Sequence, residues 1–274
     1  MSNNSKISYW ISGGWHSSIT RSIERMASAP GVQQIAVMPD VHLGKKICNG
    51  VAVATVGTIF PEAIGGDIGC GYLMADVRGS ARAFQNSRKA EKLLESIARA
   101  VPIIFHNLES AVSTLSDELE SAVLTSEELE KLKLRQAKKQ LGTLGRGNHF
   151  IEFQQSRSGL HILIHSGSRS VGPAVLAHHL AGAEKDKQSK LKFLDADSDH
   201  GKAYLADMQW ARNYAAASRM RMLKLVDDAI DKFDLTVDLD SALDRDHNHV
   251  ELEQHGGQEL WVHRKGTQLS LIHI

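Results

Sequence analysis

Two cysteines in 274 residues, Cys48 and Cys70, cannot frame a disulfide scaffold, which points to a reducing compartment and a cytoplasmic protein. No run of eighteen apolar residues occurs and residues 1–10 are polar, so neither a membrane span nor a signal peptide is expected. Net charge is missing too: 32 Lys and Arg balance 32 Asp and Glu, which excludes a histone-like or ribosomal polycation. Any nucleic-acid contact must then come from a local basic patch. No internal repeat or low-complexity linker breaks the chain. Aromatic residues number 15 (4 Trp, 4 Tyr, 7 Phe), and histidine nearly equals them at 14. Histidine is the commonest metal ligand, so metal chemistry is the first possibility to test. What is present in quantity is apolar residue, 42% of the chain, enough at this length to build a core without metal or disulfide staples.

Apolar runs bounded by Gly, Pro or Asn predict strands at 32–37, 51–56 and 72–77, with further strands at 149–154, 160–165, 249–252 and 259–263. A helical period over 83–101 places Leu93, Leu94, Ile97 and Val101 on one stripe. Thr125 and Glu128 form a capping box that opens another helix. Helices are also expected over 171–182 and 202–233, an exposed charged loop over 185–192, and Asp246-His247-Asn248-His249 closes the long helical region. Strands and helices do not alternate strictly, so the expected class is α+β: a single domain with mixed sheets flanked by helices and a metal site at strand ends.

Three segments carry the residue types of a metal and phosphate site. Gly65-Gly66-Asp67-Ile68-Gly69-Cys70-Gly71 sets a carboxylate and a thiol three residues apart in a backbone free to bend sharply. A thiolate with a carboxylate suits a borderline metal such as Zn or Mn, and a Gly-rich turn with an inert buried cysteine is the competing reading. Gly147-Asn148-His149-Phe150-Ile151-Glu152 brings His149 to the entry of a strand, where alternation turns Asn148, Phe150 and Glu152 to one face and His149 and Ile151 to the other. His161-Ile162-Leu163-Ile164-His165 delivers a histidine at a strand end, and Ser166-Gly167-Ser168-Arg169 then offers hydroxyl, backbone and guanidinium donors for a phosphate. An ordinary polar turn is the alternative for each segment alone. Of His247, His249, His255 and His263, at most one or two can be ligands. Asp195-Ala196-Asp197-Ser198-Asp199 imitates a calcium loop, but its sixth and twelfth positions are His200 and Ala206 instead of Gly and Glu.

These motifs, with Met38-Pro39-Asp40-Val41-His42-Leu43-Gly44 before them and His247-Asn248 after, resemble those of the RtcB RNA ligases in order and spacing from about Pro39 to Gly266. The wording His42-Leu43-Gly44-Lys45-Lys46 is similar to a shorter branch associated with a release-factor-like protein, which makes that protein an expected partner. The resemblance implies GTP- and Mn²⁺-dependent joining of a 3′-phosphate or 2′,3′-cyclic phosphate RNA end to a 5′-hydroxyl end, in RNA repair or tRNA splicing. It implies two manganese ions held by Asp67, Cys70, His149, His165 and His247, a guanylate pocket at Asn148, His149, Phe150, Ile151, Glu152, His247 and Asn248, and an RNA phosphate at Arg169. Asp40 is given no role.

The family's guanylate-accepting Ser-His-Gly-Ala-Gly-Arg motif has no match in these residues, so the catalytic histidine is unassigned, and His263 precedes an Arg-Lys-Gly outside that motif. The expected organisation is therefore a ligase domain over 1–266, incomplete at its C-terminus, followed by a non-native tail over 267–274. Two alternatives remain: a dinuclear metal-dependent phosphoesterase acting on a cyclic phosphate without GTP, and a non-catalytic RNA-end-binding module.

Overall fold

The computed structural model describes residues 6–11, 14–106 and 114–267; of the tail expected over 267–274, Thr267 is described and buried, and residues 268–274 lie outside the described residues. The architecture is mixed α+β, and its contacts group into two compact units, each assembled from separated segments. The first unit takes residues 1–68, 172–209 and 247–274, the second 69–171 and 210–246.

In the first unit a five-stranded sheet runs in the order Ile7–Tyr9, Val32–His42, Asn49–Thr55, Gln258–Lys265, Asn248–His255, antiparallel except for its first pair. Ile35, Val37, Val51 and Val53 are buried under the helix Ser17–Ala27, which contributes Ile19, Ile23 and Met26 to the same core. The segment expected as an exposed loop over 185–192 is instead a hairpin, with Glu184–Lys185 paired to Lys192–Asp195. The Asp186 carboxylate closes its turn by accepting from Gln188 N, Ser189 N and the Ser189 hydroxyl, and Leu191 is buried. The calcium-like acids serve the start of a helix: Asp195 accepts from Asp197 N at 2.9 Å and Ser198 Oγ accepts from Gly201 N at 3.0 Å.

The second unit is built on a four-stranded antiparallel sheet in the order Thr236–Asp246, Gly71–Arg78, Leu160–Ser166, Phe150–Gln155. Leu73, Ile162 and Ile164 are fully buried against Leu93, Met222, Leu223, Val226 and Ile230. Each such side chain contributes about 2 kcal/mol of transfer free energy. The helix Ser87–Ala100 is capped by Asn86, whose Oδ1 accepts from Lys89 N at 3.1 Å. Its buried face corrects the expected stripe: Leu93, Ile97 and Val101 are buried, whereas Leu94 is 61% exposed. Ser96 takes that place, donating from its hydroxyl to Ala229 O at 3.0 Å. Two further expectations change. Ser126, not Thr125, caps the helix Glu127–Leu132, accepting from Leu129 N. The long helix ends at Ile230, and after a turn with Asp234 at φ 60° the chain forms the strand Thr236–Asp246, so residues 246–249 join two strands.

Candidate metal centre

The Gly-rich segment is shaped by close backbone approach. Gly69 has φ +67°, and a Cβ there would stand 2.8 Å from Arg212 Cα; at Gly71 a Cβ would meet Arg245 O at 2.3 Å. Glycine admits the left-handed conformation and the neighbouring helix at 69, and the neighbouring strand at 71. Cys70 sits between them, 3% exposed, at the mouth of the strand Gly71–Arg78.

Two imidazoles converge on its sulfur. His165 Nε2 lies 3.2 Å from Cys70 Sγ and His149 Nε2 lies 3.6 Å from it. Each ring is oriented by a backbone carbonyl: His149 Nδ1 donates to Leu144 O at 2.9 Å, and His165 Nδ1 donates to Asn148 O at 3.0 Å. A carbonyl only accepts, so the ring proton is fixed on Nδ1 and both Nε2 lone pairs face the thiol. That is the tautomer, and the carbonyl support on the opposite ring nitrogen, that a metal-binding histidine requires. Tyr72 stacks on His165 at 4.4 Å between centroids, and Phe150 tilts against it at 5.4 Å. A thiolate with two oriented imidazoles is a donor set suited to a borderline divalent metal.

His149 precedes the first paired strand residue, Phe150, and follows Gly147 at φ +87°, so strand alternation does not set its direction. Its direction comes from the Leu144 carbonyl. Gly145 makes room: a Cβ there would fall 2.5 Å from His149 Nδ1 and 2.2 Å from Arg169 Nη1.

The remaining positions are placed as follows. Ile151 packs on the core of the second unit, while Asn148 and Glu152 are exposed. Arg169, at φ 58°, donates to Thr143 Oγ1 at 3.1 Å and to Ile103 O at 3.1 Å. Beside it the buried Ser168 hydroxyl has no hydrogen-bond partner among the described residues. Asp67 and His247 belong to the first unit. There Asn248 Nδ2 donates to Asp67 O at 3.0 Å, and Gly266 N donates to both Asn248 Oδ1 and His247 O at 2.9 Å, so one side-chain amide joins the Asp67 turn to the strand ends. Asp67 and Asn248 line a cleft of about 610 Å³ within that unit, together with Glu62 and Lys265. Burial lowers the Lys265 ammonium below the usual lysine range, with Cys48 and Glu62 acting in the opposite direction. Asp40 is exposed, and its carbonyl accepts from His42 Nδ1 at 2.8 Å.

The family model described as tRNA-splicing ligase RtcB matches residues 22–133 and 109–271. The chain belongs to the RtcB family. It is 34% identical over 264 residues to the RNA-splicing ligase RtcB of Escherichia coli K12, a match covering 86% of this chain and 64% of that protein. It is 29% identical to the tRNA-splicing ligase RtcB of Methanococcus maripaludis, covering 91% of this chain and 65% of that one. The chain therefore spans less than two thirds of the length of these RtcB relatives. Among the described residues no helix is long and apolar enough to cross a membrane.

One residue behind the RtcB motifs was invisible as a motif. Arg219, on the helix Asp199–Ile230, is 1% exposed. It donates from Nη1 to Gly69 O at 2.7 Å and Ser166 O at 2.8 Å, and pairs with Asp244 through Nε and Nη2 at 2.6 Å each. Gly69 precedes Cys70 and Ser166 follows His165, so one guanidinium fixes the two segments that bring the sulfur and the imidazole together. Arg212 acts similarly about two helical turns earlier, gripping Asp246 through Nε at 2.7 Å and Nη2 at 3.2 Å. Nothing in the local sequence marks either arginine; only their distant carbonyl and carboxylate partners do.

Proposed function

We propose that this chain supplies the metal-binding and RNA-end-binding part of a GTP- and Mn²⁺-dependent RNA ligase that joins 3′-phosphate or 2′,3′-cyclic phosphate ends to 5′-hydroxyl ends. The observation that carries the reading is the convergence of the His149 and His165 Nε2 atoms on Cys70 Sγ, each ring held in one tautomer. The names of the RNA-splicing ligases it is similar to support the substrate class.

In this reading Asp67, three residues before Cys70 in the chain, and His247 complete the ligands for two manganese ions. Such ions supply polarisation of phosphoryl oxygens and in-line orientation of the attacking hydroxyl. Cys70 binds as the thiolate, and Leu144 O and Asn148 O keep the two imidazoles aimed. Arg169 and the buried Ser168 hydroxyl take a phosphate oxygen of the RNA end. Asn148, His149, Phe150, Ile151, Glu152, His247 and Asn248 form this chain's share of the guanylate pocket. RNA repair or tRNA splicing in the cytoplasm is the setting, with a release-factor-like protein as partner.

Binding of two RNA oligonucleotides of one sequence, ending in 3′-phosphate or 3′-hydroxyl, tests the reading. With Mn²⁺ the 3′-phosphate form binds at least about tenfold more tightly, a difference of about 1.4 kcal/mol, and Cys70→Ala removes that preference. Equal affinity for the two ends contradicts it, and opening of a cyclic phosphate without GTP assigns the site to a phosphoesterase.

A further inference from the structure

The helix Ser17–Ala27 turns Ser18, Arg21, Ser22 and Arg25 to one side, at the i, i+3, i+4, i+7 spacing of a single helical face. Facing them, Leu43, Gly44, Lys45 and Lys46 complete a cleft of about 300 Å³. Four cations line it and no carboxylate does. All of these residues belong to the first unit.

The turn that carries the lysines is pinned from both sides. Arg25 Nη2 donates to Lys46 O, and Lys265 Nζ donates to Ile47 O at 3.0 Å. Gly44 permits the sharp bend, since a Cβ there would lie 2.2 Å from Ile47 O. Arg25 and Lys265 thus hold the turn, while the exposed side chains of Arg21, Lys45 and Lys46 make no hydrogen bond or ion pair among the described residues. The buried Arg25 Nε has no partner among the described residues either. In a chain with equal numbers of acids and bases, a carboxylate-free group of four cations is a local field for a polyanion. Gly44, Lys45 and Lys46 also line the cleft that holds Asp67 and Asn248, so the turn is a shared wall between the two.

We propose that this basic cleft carries the phosphodiester backbone of the RNA strand whose end is held beside Asp67 and Asn248. The strand passes over Lys45 and Lys46 and lies along Arg21 and Arg25. This rests on the RNA-ligase reading and adds the surface that grips the body of the strand, independently of the chemistry at its end. The contacts are to phosphates, so binding is indifferent to base sequence.

The test compares wild type with Arg21→Gln/Lys45→Gln/Lys46→Gln on a single-stranded RNA of about 12 nucleotides and on a dinucleotide, both ending in 3′-phosphate, with Mn²⁺ and varied salt. Each phosphate contact on a single strand contributes a salt slope of about 0.7. The triple variant should therefore lower the slope by about 2 and weaken the longer RNA roughly a hundredfold at 0.1 M salt. The dinucleotide, which can meet only the shared wall at Lys45 and Lys46, should weaken much less than the longer RNA, and both affinities should stay unchanged in the charge-matched control Lys131→Gln/Lys187→Gln/Lys190→Gln. Unchanged affinity of the longer RNA in the triple variant overturns the proposal and leaves the ligase reading intact. Equal weakening of both RNAs also overturns it, because the residues would then act on the end. Failure of wild type to bind either RNA removes both readings. Capture of poly-glutamate but not RNA through the same three side chains overturns it in favour of an acidic protein partner.

Discussion

Replacing Arg219 with glutamine removes a cation that is 1% exposed and makes four hydrogen bonds, two to Asp244 and one each to Gly69 O and Ser166 O. Breaking a buried ion pair by deleting one partner costs about 3–5 kcal/mol, because the other charge is left uncompensated. Asp244 is 26% exposed and recovers some hydration, which puts the expected loss near the lower end, about 3 kcal/mol. For a chain of this size that corresponds to a melting point lower by about 6–12 °C. Metal affinity should fall as well, by about 10–100-fold, the usual effect of losing outer-shell support. Arg219→Lys keeps the charge without the fork and should recover part of the stability but little of the Mn²⁺ affinity. Thermal unfolding and calorimetric Mn²⁺ titration at low temperature, where the variant stays folded, separate the two effects. A glutamine variant that melts within about 2 °C of wild type and binds Mn²⁺ equally well would show that the Arg219 fork supports neither the fold nor the metal site.

Cys70→Ala should abolish tight Mn²⁺ binding and Cys48→Ala should not, because Cys48 is buried in the first-unit core; calorimetry on both variants checks this. His263 is buried with Nε2 accepting from Phe60 N at 2.9 Å and Nδ1 donating to Val53 O at 3.1 Å, and burial pushes its pKa down to about 4. The unfolded chain, with an imidazole near 6.5, binds that proton first, so stability is fully present above pH ~6.5 and falls by up to about 3 kcal/mol as pH drops towards 4. Denaturant titrations across that range should show a slope shallower by one proton in His263→Gln; an unchanged slope contradicts the assignment. Gly145→Ala drives a methyl towards His149 Nδ1 and Arg169 Nη1, and should weaken Mn²⁺ binding and 3′-phosphate recognition together. Since no residue here matches the guanylate-accepting motif, these 274 residues incubated with GTP and Mn²⁺ should show no added GMP mass; an adduct would locate the accepting side chain.

The strand that follows Cys70 and the strand that carries His165 were legible because apolar runs meet glycine at their ends, and the structure keeps those boundaries within a residue. The strand Thr236–Asp246 was not. Asp238, Asp240, Asp244 and Asp246 dilute its apolar pattern, and a bulge between Asp238 and Leu243 breaks its alternation, so it reads as a tail to the preceding helix. Arg219 escaped for a different reason. Its partners Gly69 and Ser166 stand 150 and 53 residues away, and no local period records such a contact. The candidate ligands could be named from motifs, but the tautomers that fit them for a metal come from Leu144 and Asn148 carbonyls, whose positions depend on the fold.

X-ray absorption at the manganese edge of the Mn²⁺-loaded protein decides whether Cys70 sulfur and the oriented imidazoles hold the metal of an RNA-joining site. Wild type should show a sulfur scatterer together with imidazole in the first coordination shell, and Cys70→Ala should lose the sulfur. A shell of oxygen and nitrogen alone in the wild-type protein would contradict that assignment.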